Sequence, residues 1–320
     1  MKKSSRKKLF KTLFWLVFAA GAAWLALVPP GHRPVARLAP PAEVTVRVVK
    51  PSAPPPESAP ATASGAEEKT AQPVPPPPVL SSPPPQPAMP GGGAKSAPQI
   101  AIVIDDVGVD YKDSAVAIEK LPAPVTLSFL PYAVRLREQA REAAGLGHEM
   151  ILHMPMEPVG HEDPGPGALF TSLPMPVLQQ RFDDALASFT GFDGVNNHMG
   201  SKFTAWPDGM KMVVGELQQR HLFYLDSRTS AQSVGLKIAR EEGLPSIGRD
   251  VFLDDIQEPD AVRQQLQETE NIARRRGYAV AIGHPHPVTL AVLQAWIPQA
   301  EKDGFTLVPL HDLVRQVSPK

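Results

Sequence analysis

Residues 100–106 read IAIVIDD, five apolar residues that end in two adjacent carboxylates, Asp105 and Asp106. A run that is apolar on both faces marks a strand buried in a parallel sheet. Similar runs recur at VTLSFL, MILHMP, GVNNHM, LFYLDS, SIGRDVFL, YAVAIG and FTLVPL. Between them lie amphipathic stretches near 112–120, 134–145, 176–189, 208–220, 232–242, 258–276 and 288–302. Strands alternating with helices of this length predict an α/β fold with crossover connections. The repeat count predicts a distorted (β/α) barrel of seven or eight mostly parallel strands, with an open doubly wound sheet as the alternative. No GxGxxG or Walker sequence follows any of these strands, which argues against a nucleotide site.

Outside this region the composition changes. Lys2, Lys3, Arg6, Lys7, Lys8 and Lys11 precede an uncharged, mostly apolar run over residues 12–28. That order is a positive-inside signal. Residues 1–28 are therefore expected to be a membrane anchor or signal segment. It would hold the rest outside the cytoplasmic membrane, on the periplasmic side, or release it as a periplasmic or secreted protein if cleaved. Residues 29–98 are rich in Pro and Ala and cannot bury enough apolar surface to offset their ordering entropy, so they read as a semi-rigid spacer. Residues 99–318 remain as the one large domain. The formal net charge of −1 gives no general attraction to nucleic acid, and the absence of cysteine excludes disulfides and thiolate metal sites. A metal would have to be held by His, Asp, Glu or Asn.

Polar residues recur at the C-terminal ends of the apolar strands: Asp105 and Asp106, His153, Asn196 to His198, Asp226, Asp250, and His284 with His286. In a parallel barrel these ends converge on one face. Asp105 and Asp106 are expected to point to different sides of the backbone, one toward a metal and the other toward a water. Asp110 reads as a helix cap, and His148, in the GLGHE turn, as exposed. His153 and His198 with one carboxylate form a set typical of catalytic zinc or a related divalent ion. His284 could act as an acid and His286 could pack beneath it. Asp226, and Asp250 or Asp254, could orient a histidine, and Arg228 and Arg249 could pair with these acids. His32, His161, His221 and His311 receive no role.

With these residues in place, the sequence from Gln99 to Leu310 resembles the polysaccharide deacetylase family, most closely its divergent branch from bacterial envelopes. IAIVIDD is similar to the family's first motif, which implies a base at Asp105 and a metal ligand at Asp106. GHEMILH, residues 147–153, resembles GHEIGNH and places His153 on the first metal histidine. IGHPH, residues 282–286, resembles the final motif and makes His284 the acid. Glu157 stands where the family has its second metal histidine, so His198 is taken as the replacement ligand with Glu157 in reserve. NNHMGS, with Asn197, stands where a substrate-lining motif belongs. The resemblance implies a divalent-metal enzyme, with zinc the expected ion, that removes N-acetyl or O-acetyl groups from an envelope polysaccharide such as peptidoglycan. Two alternatives stay open: a non-catalytic envelope protein that binds glycan or a partner, and a metal hydrolase acting on esters or peptides.

Overall fold

The computed structural model describes residues 97–318 together with Gln86. The expected membrane segment and nearly all of the spacer lie outside the described residues. Among the described residues no helix is long and apolar enough to cross a membrane.

The chain runs through β1 (Gln99–Val107), α1 (Tyr111–Lys120), β2 (Thr126–Phe129), α2 (Leu136–Gly145), β3 (Met150–Met156), α3 (Met175–Leu186) and β4 (Gly194–Met199). It continues through α4 (Pro207–Gln219), β5 (Phe223–Asp226), α5 (Gly235–Glu241), β6 (Ser246–Gly248) and β7 (Val251–Phe252). The last elements are α6 (Pro259–Arg276), β8 (Tyr278–Gly283), α7 (Pro287–Lys302), β9 (Thr306–Leu307) and α8 (Leu310–Val317). Local chemistry sets several helix ends. Asp110 caps α1 by accepting from the Lys112 and Asp113 amides, and α6 stops at Gly277, whose φ of 94° is left-handed. Proline opens α4, α6 and α7, where its missing N–H costs no hydrogen bond.

The strands form one curled parallel sheet in the order β6-β5-β4-β3-β2-β1-β8-β7, with β9 added to β1. This is the expected barrel, left unclosed between β6 and β7. The apolar run SIGRDVFL was expected to be a single strand, but it splits at Arg249 and Asp250. The Arg249 amide still bonds to Asp226 O beside β6, whereas the Asp250 amide bonds to Val280 O in β8. Two residues thus carry the chain across the seam. Asp250 is held there by Arg276, whose Nη1 donates at 2.9 Å, and by the Val280 amide at 2.9 Å.

Alternation along the strands separates two apolar layers. Ile100, Ile102, Ile104, Leu152 and Met154 pack outward under the helices. Ala101, Val103, Ile151, Leu225, Ile247, Val280 and Ile282 fill the interior together with Leu310, Leu313 and Val314 of α8. Helix α8 therefore plugs the end of the barrel where the strands begin. Its start is fixed by Thr126 Oγ1, which accepts from the Leu310 amide at 3.1 Å, and by buried Glu149, which accepts from the His311 amide at 3.0 Å. The opposite end, where the strands finish, is left for the polar residues.

Gln86 belongs to the expected spacer, yet it is buried against the seam. Its Nε2 donates to Gly248 O at 2.5 Å and to Asp250 Oδ1 at 2.9 Å, and its Oε1 accepts from the Gly248 amide at 3.0 Å. The side-chain amide thus completes the free edge of β6 as a neighbouring strand would. Gln86→Ala removes these bonds from buried backbone groups and should lower the unfolding free energy of the full chain by about 1–3 kcal/mol in urea titration. An unchanged midpoint would show that Gln86 makes no net contribution.

Candidate active site

The site starts from an irregularity in β1. Ile104 pairs with Leu127, but the next paired residue, Val107, faces Phe129, so β1 carries one residue more than its partner. At this bulge Asp106 adopts φ 56°, in the left-handed region. The expectation that the two carboxylates diverge holds only for a regular strand. Here both approach one imidazole: His153 Nε2 lies 3.6 Å from Asp105 Oδ2 and 3.2 Å from Asp106 Oδ1. The turn that follows needs Gly108, at φ 101°, where an added Cβ would sit 2.1 Å from Ala133 Cβ.

His153 and His198 come from neighbouring strands, with Pro155 of β3 opposite His198 of β4. His198 Nδ1 lies 2.8 Å from Asp106 Oδ1 and 3.2 Å from His153 Nε2. His153 Nδ1 faces Asn196 Oδ1 at 2.8 Å, an acceptor, so the ring's proton sits there and Nε2 presents a lone pair. Asp106 Oδ1 is buried, and neither of its close imidazole contacts has hydrogen-bond geometry. His198 Nδ1 can donate to His153 Nε2 across their 3.2 Å contact, which leaves the charged Asp106 Oδ1 as the buried atom with no donor in hydrogen-bond geometry. Such an arrangement is unfavourable unless a proton or a cation intervenes. Nitrogen, nitrogen and carboxylate oxygen are a donor set that suits a divalent transition ion, and Asp106, His153 and His198 fit one.

The electrostatics agree. Burial raises the Asp106 carboxyl, but the neighbouring His153 and His198 more than reverse this and hold it well below the usual carboxylate range. Burial lowers His153, and the Asp105 and Asp106 carboxylates outweigh it, so the net shift is upward. The field that favours an imidazolium here favours any cation.

His284, just past β8, faces this cluster, with its Nε2 3.9 Å from Asp106 Oδ2. Asp254 fixes its orientation. Asp254 Oδ1 accepts from Nδ1 at 2.9 Å, and Oδ2 accepts from the His284 amide at 2.6 Å and Thr289 Oγ1 at 2.8 Å. Burial alone would lower the His284 imidazole, but Asp254, with Asp106 and Asp105, raises it to about 9. Of the acids offered as histidine partners, Asp254 is the one that meets His284.

Several other expected site residues serve the scaffold. Asp250 belongs to the seam. Asp226 accepts from the Arg228 and Leu236 amides and from Ser233 Oγ, which shapes the loop into α5. Arg228 has φ 51° in that loop, and its guanidinium lies over Gly248. Asn197 points away from the histidines, accepting from the Ser227 amide and Tyr224 Oη and donating to Met199 O. Glu157 is occupied by Thr171 and by Lys202 Nζ at 2.7 Å, outside the histidine cluster. His286 does lie beside His284, ring centres 5.7 Å apart, with Nε2 3.0 Å from Gln257 Nε2. Arg249 donates to the Ser227 and Arg228 carbonyls and stacks 5.0 Å from Phe252; its expected direct pairing with an acid is replaced by these contacts. His148 is buried, each ring nitrogen 2.9 Å from a carbonyl oxygen, Val125 O and Ile118 O.

Two further residues matter here: Asn196, which the sequence marked only as part of a polar strand end, and Ser227, which it did not single out. Asn196 and Ser227 lie behind Asp105, where Asn196 Nδ2 donates to Asp105 Oδ1 at 2.8 Å and to Ser227 Oγ at 3.0 Å. The signal for Asn196 was its place two residues before His198, which puts both on one face of β4.

Known proteins place these observations. Residues 102–314 match the family described as divergent polysaccharide deacetylase. An uncharacterized protein of Haemophilus influenzae is 40% identical over 217 residues, covering 68% of this chain and 77% of that protein. The uncharacterized protein YibQ of Escherichia coli is 34% identical over 220 residues, 69% of this chain and 68% of its own. Among solved structures, the uncharacterized protein ATU2773 of Agrobacterium tumefaciens superposes with a TM-score of 0.67 at 32% identity, covering 71% of this chain and 92% of that one. With its first motif ending β1 and its histidines gathered at the strand ends, the chain belongs to the divergent polysaccharide deacetylase family.

Proposed function

We propose that this protein is a metal-dependent hydrolase that removes acetyl groups from an envelope polysaccharide such as peptidoglycan. The observation that carries the reading is the convergence of Asp106 Oδ1, His153 Nε2 and His198 Nδ1 beside a second carboxylate, Asp105, with His284 facing them. In this reading Asp106, His153 and His198 hold a divalent ion, with zinc preferred by the donor set. Such an ion supplies Lewis acidity, polarising an amide carbonyl and acidifying water.

The chain's own groups move the protons. Asp105, held by Asn196, takes a proton from the attacking water as its oxygen bonds to the acetyl carbon. His284, protonated and aimed by Asp254, gives a proton to the nitrogen as the C–N bond breaks. Acetate and a free amine leave; an O-acetyl substrate would yield an alcohol. The substrate class rests on family membership together with the basic residues and apolar run at the N-terminus, which in this reading tether the domain outside the cytoplasmic membrane.

Zinc-loaded full-length protein should release acetate from peptidoglycan or N-acetylglucosamine oligomers and lose that activity with a chelator. Asp105→Asn should keep stoichiometric metal while kcat falls about 10²–10⁴-fold, as for loss of a general base. Metal bound without acetate release from any such glycan would instead support a glycan-binding protein that keeps the fold.

The Asp254 contact sets a pH dependence. His284 is raised from 6.5 to about 9, so it remains an acid through neutral pH and activity should decline as pH rises past that value. Its folded value exceeds the unfolded one, so its contribution to stability is complete below 6.5 and fades as pH approaches about 9. Asp254→Asn should move the alkaline limb of the pH–rate profile toward 6.5 and flatten the stability slope over that window, with metal content unchanged. An unmoved limb would remove His284 from the acid role.

A further inference from the structure

Asn196 is fully buried, and its carboxamide makes four contacts, one for each of its four hydrogen-bonding positions. Oδ1 faces His153 Nδ1 at 2.8 Å and accepts from Ser128 Oγ at 2.7 Å. Nδ2 donates to Asp105 Oδ1 at 2.8 Å and to Ser227 Oγ at 3.0 Å. The orientation of the amide follows from chemistry. Reversed, it would set a carbonyl oxygen against the Asp105 carboxylate.

We propose that Asn196 is a positioning residue that governs both halves of the site with one side chain. Its Oδ1 fixes the tautomer in which His153 offers Nε2 to the metal, and its Nδ2 fixes the rotamer of Asp105. This inference rests on the roles proposed above for His153 and Asp105.

Only a carboxamide meets both demands. A carboxylate, the usual partner of a metal-bound histidine, would accept the Nδ1 proton equally well. It would also stand 2.8 Å from Asp105 Oδ1 as a second negative charge. A hydroxyl is too short to span from His153 to Asp105. The β3 to β4 register places His153 and Asn196 directly opposite each other, so their side chains lie together on the inner face. Ser128 of β2 and Ser227 beyond β5 brace the amide from the two flanking sides. The Asn196 side chain is thus held by groups from four other strands or strand ends, which leaves it one position.

Two substitutions separate the halves in the full-length protein. Asn196→Asp keeps the acceptor for His153 but loses the donor to Asp105. Its zinc affinity, measured by competition with a chromogenic chelator, should stay within about threefold, while kcat falls at least about 30-fold. Asn196→Leu loses both functions, so zinc affinity should also fall by about 10–100-fold, and the metal-free protein, at a pH high enough to keep this imidazole neutral, should lose the single Nδ1–H tautomer of His153 in ¹⁵N-histidine NMR. Wild-type zinc affinity with an unchanged tautomer in Asn196→Leu, or wild-type kcat in Asn196→Asp, would overturn the proposal. If Asn196→Leu does not fold, an Nε2–H tautomer of His153 in the metal-free wild type would do the same. If the wild type releases no acetate, the hydrolase reading fails separately. The Asp105 half is then decided by whether a slowly exchanging Asn196 amide proton disappears in Asp105→Ala.

Discussion

Everything at the site depends on the extra residue in β1. A regular strand sends neighbouring side chains to opposite faces, and Asp105 and Asp106 could not then share an imidazole. The bulge and the left-handed φ of Asp106 bring them to the same side. A non-glycine residue in that region costs about 1–2 kcal/mol, so surrounding contacts must hold it there. A left-handed φ, without a break in the β3 to β4 register, recurs at Met199 after His198, and another at Arg228 after Ser227. Three strand ends therefore turn abruptly where the polar residues gather, and at β1 the turn converts an alternating pattern into a convergent one.

Such a polar layer is tolerable because of what lies beneath it. Ala101, Val103, Ile151, Leu225, Val280 and Ile282 form an apolar interior closed by α8, which separates the site from solvent at the other end of the barrel. Buried polar groups in that setting need partners, and Asn196, Ser128, Asp254 and the second nitrogen of His153 all have them. Asp106 Oδ1 is the exception. Its nearest neighbours are the imidazole nitrogens of His198 at 2.8 Å and His153 at 3.2 Å, so a proton or a cation shared among the three would satisfy it.

The alternation of buried strands and helices was legible from residues 100–106 outward, because it is written locally in hydrophobic period. Asp105, Asp106, His153, His198 and His284 could be picked out as candidates because each is a polar residue in or at the end of a strand-like segment. The register was not legible. The bulge exists only relative to β2, the split in SIGRDVFL only relative to β8, and the burial of His148 only through the Val125 and Ile118 carbonyls. Asp250 and Asp254 illustrate the limit. Both are acids near one strand end, and the sequence offered either as a histidine partner. Arg276 and the seam claim the first, while the chain's turn toward α6 brings the second to His284.

The exchange of a family histidine for Glu157 has a geometric answer in the sheet. In the resemblance the second metal histidine falls at Glu157, which in this chain lies one residue beyond β3, where position depends on how the loop folds. His198 instead lies on β4, with Pro155 opposite it, two residues beyond His153 on the adjacent strand. A side chain placed by a ladder of hydrogen bonds loses less freedom on binding than one placed by a loop, and its geometry is correspondingly firmer. Glu157 is then free for another task. Its carboxylate ties the Thr171 segment to Lys202, joining the loops that follow β3 and β4 at the margin of the site. In the proposed reading the metal centre has shifted sideways by one strand without losing a ligand, and the residue left behind has become part of the wall around it.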